Sequence, residues 1–277
     1  MPELPEVQTV VNNLNQHNMV GCAITGARVS WPRTITGLSP SRFQKQLTGC
    51  RIRQITRRGK YIVFHLSRGL TMLIHLRMTG RLNWVASGSP VNIHEHVVLE
   101  VEKTGELRFQ DTRKFGRIFL TGTPETILGR LGPEPLAADF TSQRLLRMLQ
   151  VRRRQIKPLL LDQSFLAGMG NIYVDEALWG ARIHPQRLSS SLSGGDAKAL
   201  HQAILHVLKE GIKNMGTSLG NGKGNFYSVG SRPGRNADQL KVFRRTGKAC
   251  PRCNAPIERI IVAQRSSHLC PACQKAP

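Results

Sequence analysis

The chain has 277 residues, enough for one large or two ordinary domains, each with its own hydrophobic core. Forty Lys and Arg against 17 Asp and Glu give a formal net charge of +23, which favours a polyanionic partner such as nucleic acid; ribosomal association or an acidic membrane surface would also fit. No apolar run approaches the roughly 18 residues of a membrane span and the N-terminus is acidic, so we expect a cytoplasmic protein whose six cysteines are thiols or metal ligands.

The chain begins with Met1, Pro2 and Glu3. Removal of Met1 would leave Pro2 with a secondary amine, whose pKa of about 8 keeps a useful fraction uncharged and nucleophilic near neutrality. Attack on an aldehyde-like carbon would give an iminium ion, and Glu3 could donate or accept a proton at that carbon. Many chains begin with Met-Pro because it is processed cleanly, so this motif alone does not indicate an enzyme.

The first half of the chain predicts one helix followed by strands. Val7, Val10, Val11 and Leu14 recur at helical spacing after Pro5, and the pattern continues to Gly21. From about residue 22 to 122 the pattern becomes strand-like, which predicts a β-sandwich or a flattened barrel. The predicted strands are 61–66, 71–78, 96–102, 106–110 and 117–121. Residues 131–135 are typical of a linker.

The second half predicts helices at 141–155, 156–162, 172–181 and 193–215, with Ser193 or Asp196 as the start signal of the last. Three consecutive arginines, beginning at Arg152, lie within the first of them. Residues 216–236 are rich in Gly, Asn, Ser and Lys, which predicts a mobile loop.

Several residues of the predicted sheet region are candidates for contact with a nucleic acid. Lys60, before an apolar strand, could be a general base, a phosphate contact or an ordinary solvated lysine. Met78 precedes a turn, and Arg113 and Phe115 share a predicted loop. These three residues could fill the gap left by an extruded base, or the two apolar side chains could simply pack in the core. His94 could contact phosphate.

A glycine-rich turn, Gly168 to Asn171, precedes a predicted helix. Free backbone N–H groups and the helix dipole attract anions at such a position, and the glycines allow a phosphate to approach closely. Asn171 could cap the helix and also donate its amide. Two helices flanking this turn would form a helix–turn–helix element, although an ordinary capped turn explains the same residues.

Four cysteines near the C-terminus have the spacing C-x2-C-x16-C-x2-C: Cys250, Cys253, Cys270 and Cys273. Four thiolates predict a structural zinc ion, because they leave no open coordination position for water; a redox pair or an iron–sulfur cluster remains an alternative. The intervening segment predicts a β-hairpin with Arg265 near its tip, where it could contact phosphate or the minor groove, or simply be solvated.

These motifs, taken together and in order, resemble those of the bacterial formamidopyrimidine-DNA glycosylases over essentially the whole chain. They are Met-Pro-Glu-Leu-Pro-Glu-Val at the start, Arg-Gly-Lys-Tyr around Lys60, Asp-Thr-Arg-Lys-Phe-Gly around Arg113, Leu-Gly-Pro-Glu-Pro-Leu in the linker, Gly-Met-Gly-Asn-Ile-Tyr around Asn171, and the four-cysteine hairpin with Gln-Arg265.

The resemblance implies an α+β fold with an N-terminal β-sandwich and helix, a helical helix-two-turn-helix domain and a zinc β-hairpin. The implied domains are residues 1–132, 133–236 and 237–277. The implied activity is base-excision repair of 8-oxoguanine opposite cytosine and of formamidopyrimidines, through an N-terminal proline Schiff base followed by β,δ-elimination. A monomer with one zinc ion would act on duplex DNA in the bacterial cytoplasm, associated with the nucleoid while acting.

The resemblance also assigns roles to individual positions. Pro2 is the implied nucleophile at C1′ and Glu3 the acid/base, while Lys60 serves the damaged base and β-elimination and Arg265 serves phosphate contact and δ-elimination. The implied DNA contacts are His94, Arg113, Arg152 and Asn171, with Met78, Arg113 and Phe115 filling the void. The lesion-capping loop falls within residues 216–236. Thr112 stands where the family commonly has proline, which puts the stiffness of that loop in doubt.

Two alternatives accompany this interpretation. An endonuclease VIII-like glycosylase shares Pro2, Glu3 and the zinc hairpin but prefers oxidised pyrimidines; Leu4 and the pair Arg113 and Phe115 favour the purine enzyme. A zinc-ribbon protein that binds DNA without catalysis would need only the charge and the four cysteines.

Overall fold

The structure, a computed structural model, describes residues 1–103, 105–220 and 226–277. The chain forms two compact units, one of residues 1–129 with 212–237 and the other of residues 130–211 with 238–277. The first unit contains strands and the second mainly helices and a hairpin, so the predicted α+β class is confirmed. The three-domain division at residues 132 and 236 stays a prediction.

The helices and strands are numbered in chain order. The helices are α1 Leu4–Gln16, α2 Pro40–Leu47, α3 Glu125–Leu128, α4 Ser142–Gln150, α5 Ile156–Leu161, α6 Asn171–Gly180 and α7 Gly194–Lys213. The strands are β1 Ile24–Val29, β2 Ile35–Thr36, β3 Ile52–Arg58, β4 Tyr61–Leu66, β5 Thr71–His75, β6 Gly80–Val85, β7 Glu95–Val101, β8 Gly105–Asp111, β9 Arg117–Thr121, β10 Glu258–Val262 and β11 Arg265–Leu269.

Two sheets of the first unit share one hydrophobic core, as the predicted β-sandwich requires. One sheet has the strand order β1-β7-β8-β6, and the other has the order β2-β9-β5-β4-β3. All neighbours are antiparallel except β2 and β9. Buried side chains of both sheets and of α1 belong to the same cluster, which fixes the N-terminal helix against the sandwich.

The predicted first helix is confirmed, but it is shorter than its apolar pattern indicates. Helix α1 ends at Gln16 rather than near Gly21, because Asn18 has a φ of 51° and Gly21 a φ of 91°, both outside the helical region. The apolar face of α1 is almost completely buried, and Asn15 Nδ2 donates to the Ile55 carbonyl on β3 at 3.1 Å. The chain start is therefore attached to a rigid support.

Two features of the sheet region differ from prediction. The strand predicted for 71–78 ends at His75, since Arg77 has a φ of 54° and the N–H of Gly80 bonds the Leu76 carbonyl in a tight turn. Helix α2 and strands β1, β2, β3 and β6 were not predicted individually. Ser39 is the N-cap of helix α2, and its hydroxyl accepts the Arg42 N–H. This local capping signal lies within a segment that was predicted to be strand-like.

In the second unit, the helix predicted for 141–155 ends at Gln150. The arginine run that follows makes long-range hydrogen bonds instead: the Ser189 hydroxyl donates to the Arg152 carbonyl at 2.5 Å, and the Ser189 N–H donates to the Arg154 carbonyl at 2.8 Å. The start of α7 agrees with prediction, because Ser193 and Asp196 each accept the other's backbone N–H.

The predicted hairpin is confirmed as β10 and β11. Val262 pairs with Arg265, so only Ala263 and Gln264 form the turn, with φ angles of 46° and 62°. Arg265 therefore begins β11 beside the tip, as expected. Among the described residues, no helix combines the length and apolar character that crossing a membrane requires.

Candidate functional site

The start of the chain is a buried, highly charged environment. Pro2 is buried, and Glu3 is only 4% exposed. Burial lowers the pKa of the Met1 amine; the carboxylates of Glu3 and Glu6 oppose this shift. The cations of Lys60 and Arg113 lower the pKa further. Three predicted site residues of the first unit, Glu3, Lys60 and Arg113, are thus close enough for their charges to act on the amine next to Pro2.

Glu6 is a residue of this site that sequence reasoning missed. Its carboxylate accepts the Glu3 N–H at 2.8 Å through Oε2 and the Thr217 N–H at 2.7 Å through Oε1. Glu6 is 1% exposed and forms a capping box with Glu3 at the start of α1. The i, i+3 spacing of two glutamates at a helix start could have indicated the box. The hydrogen bond to Thr217 connects positions 211 residues apart, so no pattern in the local sequence indicates it.

Lys60 lies at the turn between β3 and β4, yet its side chain is only 5% exposed. Arg58 pairs with Tyr61, which leaves Gly59 and Lys60 as a two-residue turn in which Gly59 has a φ of 55°. Arg57 braces this turn by donating to the Gly59 carbonyl at 3.1 Å. The interpretation of Lys60 as an ordinary solvated lysine is therefore wrong, because the residue is almost completely buried.

The residues predicted to fill the void are exposed, as that role requires. Met78 is 40% exposed and Phe115 is 47% exposed, so the alternative of core packing is wrong for both. The guanidinium of Arg113 lies 4.7 Å from the centre of the Phe115 ring, which makes the two side chains one cationic and aromatic surface. His94 is half-buried, and its carbonyl accepts the Asp111 N–H of the same region at 2.9 Å.

In the second unit, a helix starts after the glycine-rich turn, as predicted, but Asn171 is not its N-cap. The N-cap residue is Gly170, and Asn171 is the first helical residue. Asn171 Nδ2 donates to the Ser266 carbonyl at 2.9 Å, while its Oδ1 is buried without a protein partner among the described residues. Asn171 thus joins the start of α6, the predicted anion site, to the residue next to Arg265. Arg152 lies in the exposed segment after α4.

A buried ionic network, also missed from the sequence, supports the same point of the hairpin. Lys157 Nζ donates to Asp175 Oδ1 at 2.6 Å and to the Ser266 carbonyl at 2.7 Å. Asp175 Oδ2 accepts the backbone N–H of His268 at 2.9 Å. Lys157 is fully buried, so these bonds replace its lost hydration. Arg265 itself is exposed, and the carbonyl of the next residue, Ser266, accepts from both Lys157 and Asn171.

The four predicted cysteine ligands converge at the base of the hairpin, with their sulfurs all within 4.8 Å of one another. Burial acts to raise the pKa of the Cys250 thiol, but hydrogen bonds from the Arg252 N–H and the Trp179 indole N–H lower it to about 6. Four converging sulfurs, one of them stabilised as a thiolate, suit a tetrahedral metal site.

Three family models match successive parts of the chain. The Formamidopyrimidine-DNA glycosylase N-terminal domain matches residues 1–118, the Formamidopyrimidine-DNA glycosylase H2TH domain matches residues 131–221, and the zinc finger found in FPG and IleRS matches residues 247–276. The chain belongs to the formamidopyrimidine-DNA glycosylase family. It is therefore a member of a family of DNA-repair glycosylase/AP lyases, and its four cysteines bind one structural zinc ion.

Full-length relatives agree with the family models. The formamidopyrimidine-DNA glycosylase of Protochlamydia amoebophila is 46% identical, covering 99% of this chain and all of the relative. The formamidopyrimidine-DNA glycosylase of Desulforamulus reducens is 44% identical, and the match covers 100% of both chains. The family resemblance thus extends over all the predicted site positions.

Solved structures of the family match the fold. A mutant of the Lactococcus lactis FPG, in complex with a Fapy-dG containing DNA, matches with a TM-score of 0.91 and 36% identity. The Lactococcus lactis Fpg with an abasic site containing DNA matches with a TM-score of 0.90 and 36% identity. Each match covers 99% of this chain and all of the other. These two proteins of the formamidopyrimidine-DNA glycosylase family were therefore captured on damaged DNA.

Proposed function

We propose that this chain is a bifunctional DNA glycosylase and AP lyase that removes 8-oxoguanine and formamidopyrimidines from duplex DNA. The observation that carries the proposal is the buried chain start before α1, where the charges of Glu3, Lys60 and Arg113 all act on the amine next to Pro2. The DNA complexes of the Lactococcus lactis relatives support the same substrate class.

The proposed reaction begins after Met1 is removed, because only then is Pro2 a free secondary amine. Desolvation disfavours the charged form of an amine, as the lowered pKa of the Met1 amine, one residue before Pro2, illustrates. The neutral form of an amine is the nucleophile. Attack of the Pro2 nitrogen at C1′ of an extruded nucleotide displaces the base and forms an iminium ion. Glu3 assists opening of the sugar ring by proton transfer.

The iminium ion acidifies the C2′ proton, and loss of that proton breaks the C3′–O bond by β-elimination. A second elimination breaks the C5′–O bond and leaves a one-nucleotide gap with phosphate at both ends. Lys60 is the proposed group for contact with the damaged base and for β-elimination, and Arg265 for phosphate contact and δ-elimination. The tether of Ser266 to Lys157 and Asn171 would keep Arg265 in place for this role.

We assign the remaining predicted residues to the DNA itself. His94, Arg152 and Asn171 are proposed phosphate contacts, and Met78, Arg113 and Phe115 the group that fills the void. The lesion-capping loop is proposed within residues 216–236, of which 221–225 lie outside the described residues. The proposed partner is duplex DNA with an oxidised purine, and the net charge of +23 favours binding to such a polyanion. The protein would act as a monomer in the bacterial cytoplasm, at the nucleoid.

Borohydride trapping on an 8-oxoguanine:cytosine duplex tests this proposal. Wild-type protein, with removal of Met1 verified by mass, should form a covalent adduct that Pro2→Gly greatly reduces. Pro5→Ala, which changes a second buried proline of the same helix start, is the matched control and should leave adduct formation within about twofold of wild type. If the wild-type protein forms no adduct, the enzymatic proposal is wrong, and the alternative of a DNA-binding protein without catalysis remains. A faster reaction with thymine glycol would indicate an endonuclease VIII-like enzyme.

A further inference from the structure

The two segments proposed to fill the void in DNA each end at a glycine where a Cβ atom would collide with a neighbour. In the turn after β5, a Cβ atom on Gly80 would lie 2.4 Å from the Leu76 carbonyl oxygen. In the loop after β8, a Cβ atom on Gly116 would lie 2.2 Å from the Phe109 ring. Each segment is therefore a tight backbone structure, and each presents one exposed apolar side chain, Met78 or Phe115.

A single carboxylate joins these two segments. Asp111 is fully buried at the end of β8, and its Oδ1 accepts the hydroxyl of Thr79, the residue next to Met78. The same Oδ1 accepts the Arg113 N–H at 3.1 Å, and Oδ2 accepts the Gly116 N–H at 2.7 Å. Thr79 Oγ1 in turn accepts the Arg113 N–H at 3.3 Å. Hydrogen bonds to a buried charged group are among the stronger ones in proteins, so the two segments are held as one body.

An aromatic side chain holds the outer part of the loop. Lys114 has a φ of 58°, and its ammonium lies 4.0 Å from the centre of the Trp31 ring. Trp31 also lies beside His96, with ring centres 6.5 Å apart, and His96 Nε2–H donates to the Asp111 carbonyl at 2.8 Å. The cation–π contact thus joins the loop to the framework that positions Asp111.

We propose that Asp111 and Thr79 are positioning residues that couple Met78 to Arg113 and Phe115, so that the three insert into DNA as one preorganised wedge, with Trp31 and Lys114 fixing its outer edge. This inference rests on the proposed function. Extrusion of a base costs a few kcal/mol of stacking and pairing, and a wedge that is already ordered loses less entropy when it offsets that cost. These contacts stiffen a loop, residues 111–116, that contains no proline.

The Thr79→Val variant tests the coupling, because it keeps the shape of the side chain and removes the bond to Asp111. Thr112→Val is the matched control: it makes the same change on the exposed part of the same loop. Single-turnover excision is measured on an 8-oxoguanine:cytosine duplex, and borohydride adduct formation on a duplex with an abasic site, which has no base to extrude. Melting temperatures are measured for both variants.

Loss of one hydrogen bond to a charged group should slow excision of 8-oxoguanine by about tenfold in Thr79→Val. Adduct formation on abasic DNA should change by less than about twofold, and Thr112→Val should match wild type on both substrates. Trp31→Leu should slow excision by about two- to fivefold, and Trp31→Phe, which keeps an aromatic face for Lys114, should recover most of that loss.

Equal excision rates for Thr79→Val and wild type would overturn the inference. An equal loss on both substrates with a lowered melting temperature would also overturn it, since it would show only a structural role. A wild-type chain that forms no adduct on either substrate would overturn the proposed function, and the wedge with it. A wild type active on both substrates with an unaffected Thr79→Val would overturn the wedge alone.

Discussion

The sandwich unit and the zinc hairpin hold their functional residues in different ways. In the sandwich, Lys60 and the start of α1 are attached to elements that share a large apolar core. In the hairpin, the buried apolar cluster is small and includes two of the cysteines, Cys250 and Cys270. Arg265 is held instead by the metal at the hairpin base and by polar bonds to Ser266 near its tip.

This difference shows what each region would lose on mutation. A packed core tolerates the loss of one polar contact, because many apolar contacts remain. A two-stranded hairpin is marginally stable in water, so its geometry depends on a few specific bonds. The proposed nucleophile and the proposed phosphate contact should therefore respond differently to metal removal, charge deletion and pH.

The largest effect should come from removal of zinc. A chelator, or Cys253→Ser with Cys273→Ser, should release the ion and unfold the hairpin, because a structural site of this kind contributes on the order of 10 kcal/mol. The measurement is zinc content together with hydrogen exchange of the His268 amide, which bonds Asp175 in the folded hairpin. Cys22→Ser, a thiol outside the cluster, should keep one zinc per chain. Slow exchange at His268 without zinc would contradict the account.

A smaller effect should follow from Lys157→Met. The substitution leaves the Asp175 carboxylate buried without its cation, which should lower the free energy of unfolding of the second unit by about 3–5 kcal/mol. Thermal unfolding checks this, with Lys198→Met, an exposed lysine on α7, as the matched control. An equal change in both variants would show that the buried pair contributes nothing.

The smallest effect concerns pH and the sandwich. Burial, with the charges of Arg77 and Lys60, lowers the pKa of His75 to about 3. Folding therefore favours neutral His75: its stabilising contribution is complete above a pH of about 6.5, the pKa in the unfolded chain, and is lost progressively toward pH 3. Between pH 7 and pH 5 the free energy of unfolding should fall by about 2 kcal/mol from this residue.

Urea unfolding of wild type and His75→Gln measures that slope. The variant should lose this part of the pH dependence, while His206→Gln, an exposed histidine on α7, should retain it. An unchanged slope in His75→Gln would mean that the pKa of His75 is the same in the folded and the unfolded chain, which would contradict the account.

The parts of the fold that were predicted correctly have local signals. The spacing of four cysteines predicted the metal site, the apolar spacing of α1 predicted the first helix, and Ser193 with Asp196 predicted the start of α7. Each signal involves residues close in sequence or a pattern that one element must satisfy alone.

The parts that were missed depend on partners far along the chain. The arginine run after Gln150 leaves the helix because its carbonyls bond Ser189. Glu6 acquires its role through Thr217, and Lys157 through Ser266 and Asp175. A single carboxylate or lysine in a sequence gives no indication of such a partner. The proposed chemistry could be inferred from the residues, whereas the contacts that position it needed the structure.

The most direct test of the central claim is identification of the atom that bonds DNA. Borohydride-trapped adduct from an 8-oxoguanine duplex is digested, and the modified peptide is sequenced by mass spectrometry. We predict that the remnant of the sugar is attached to the Pro2 nitrogen of a chain that has lost Met1. A remnant on Lys60, or a stable adduct formed by chains that keep Met1, would contradict the account.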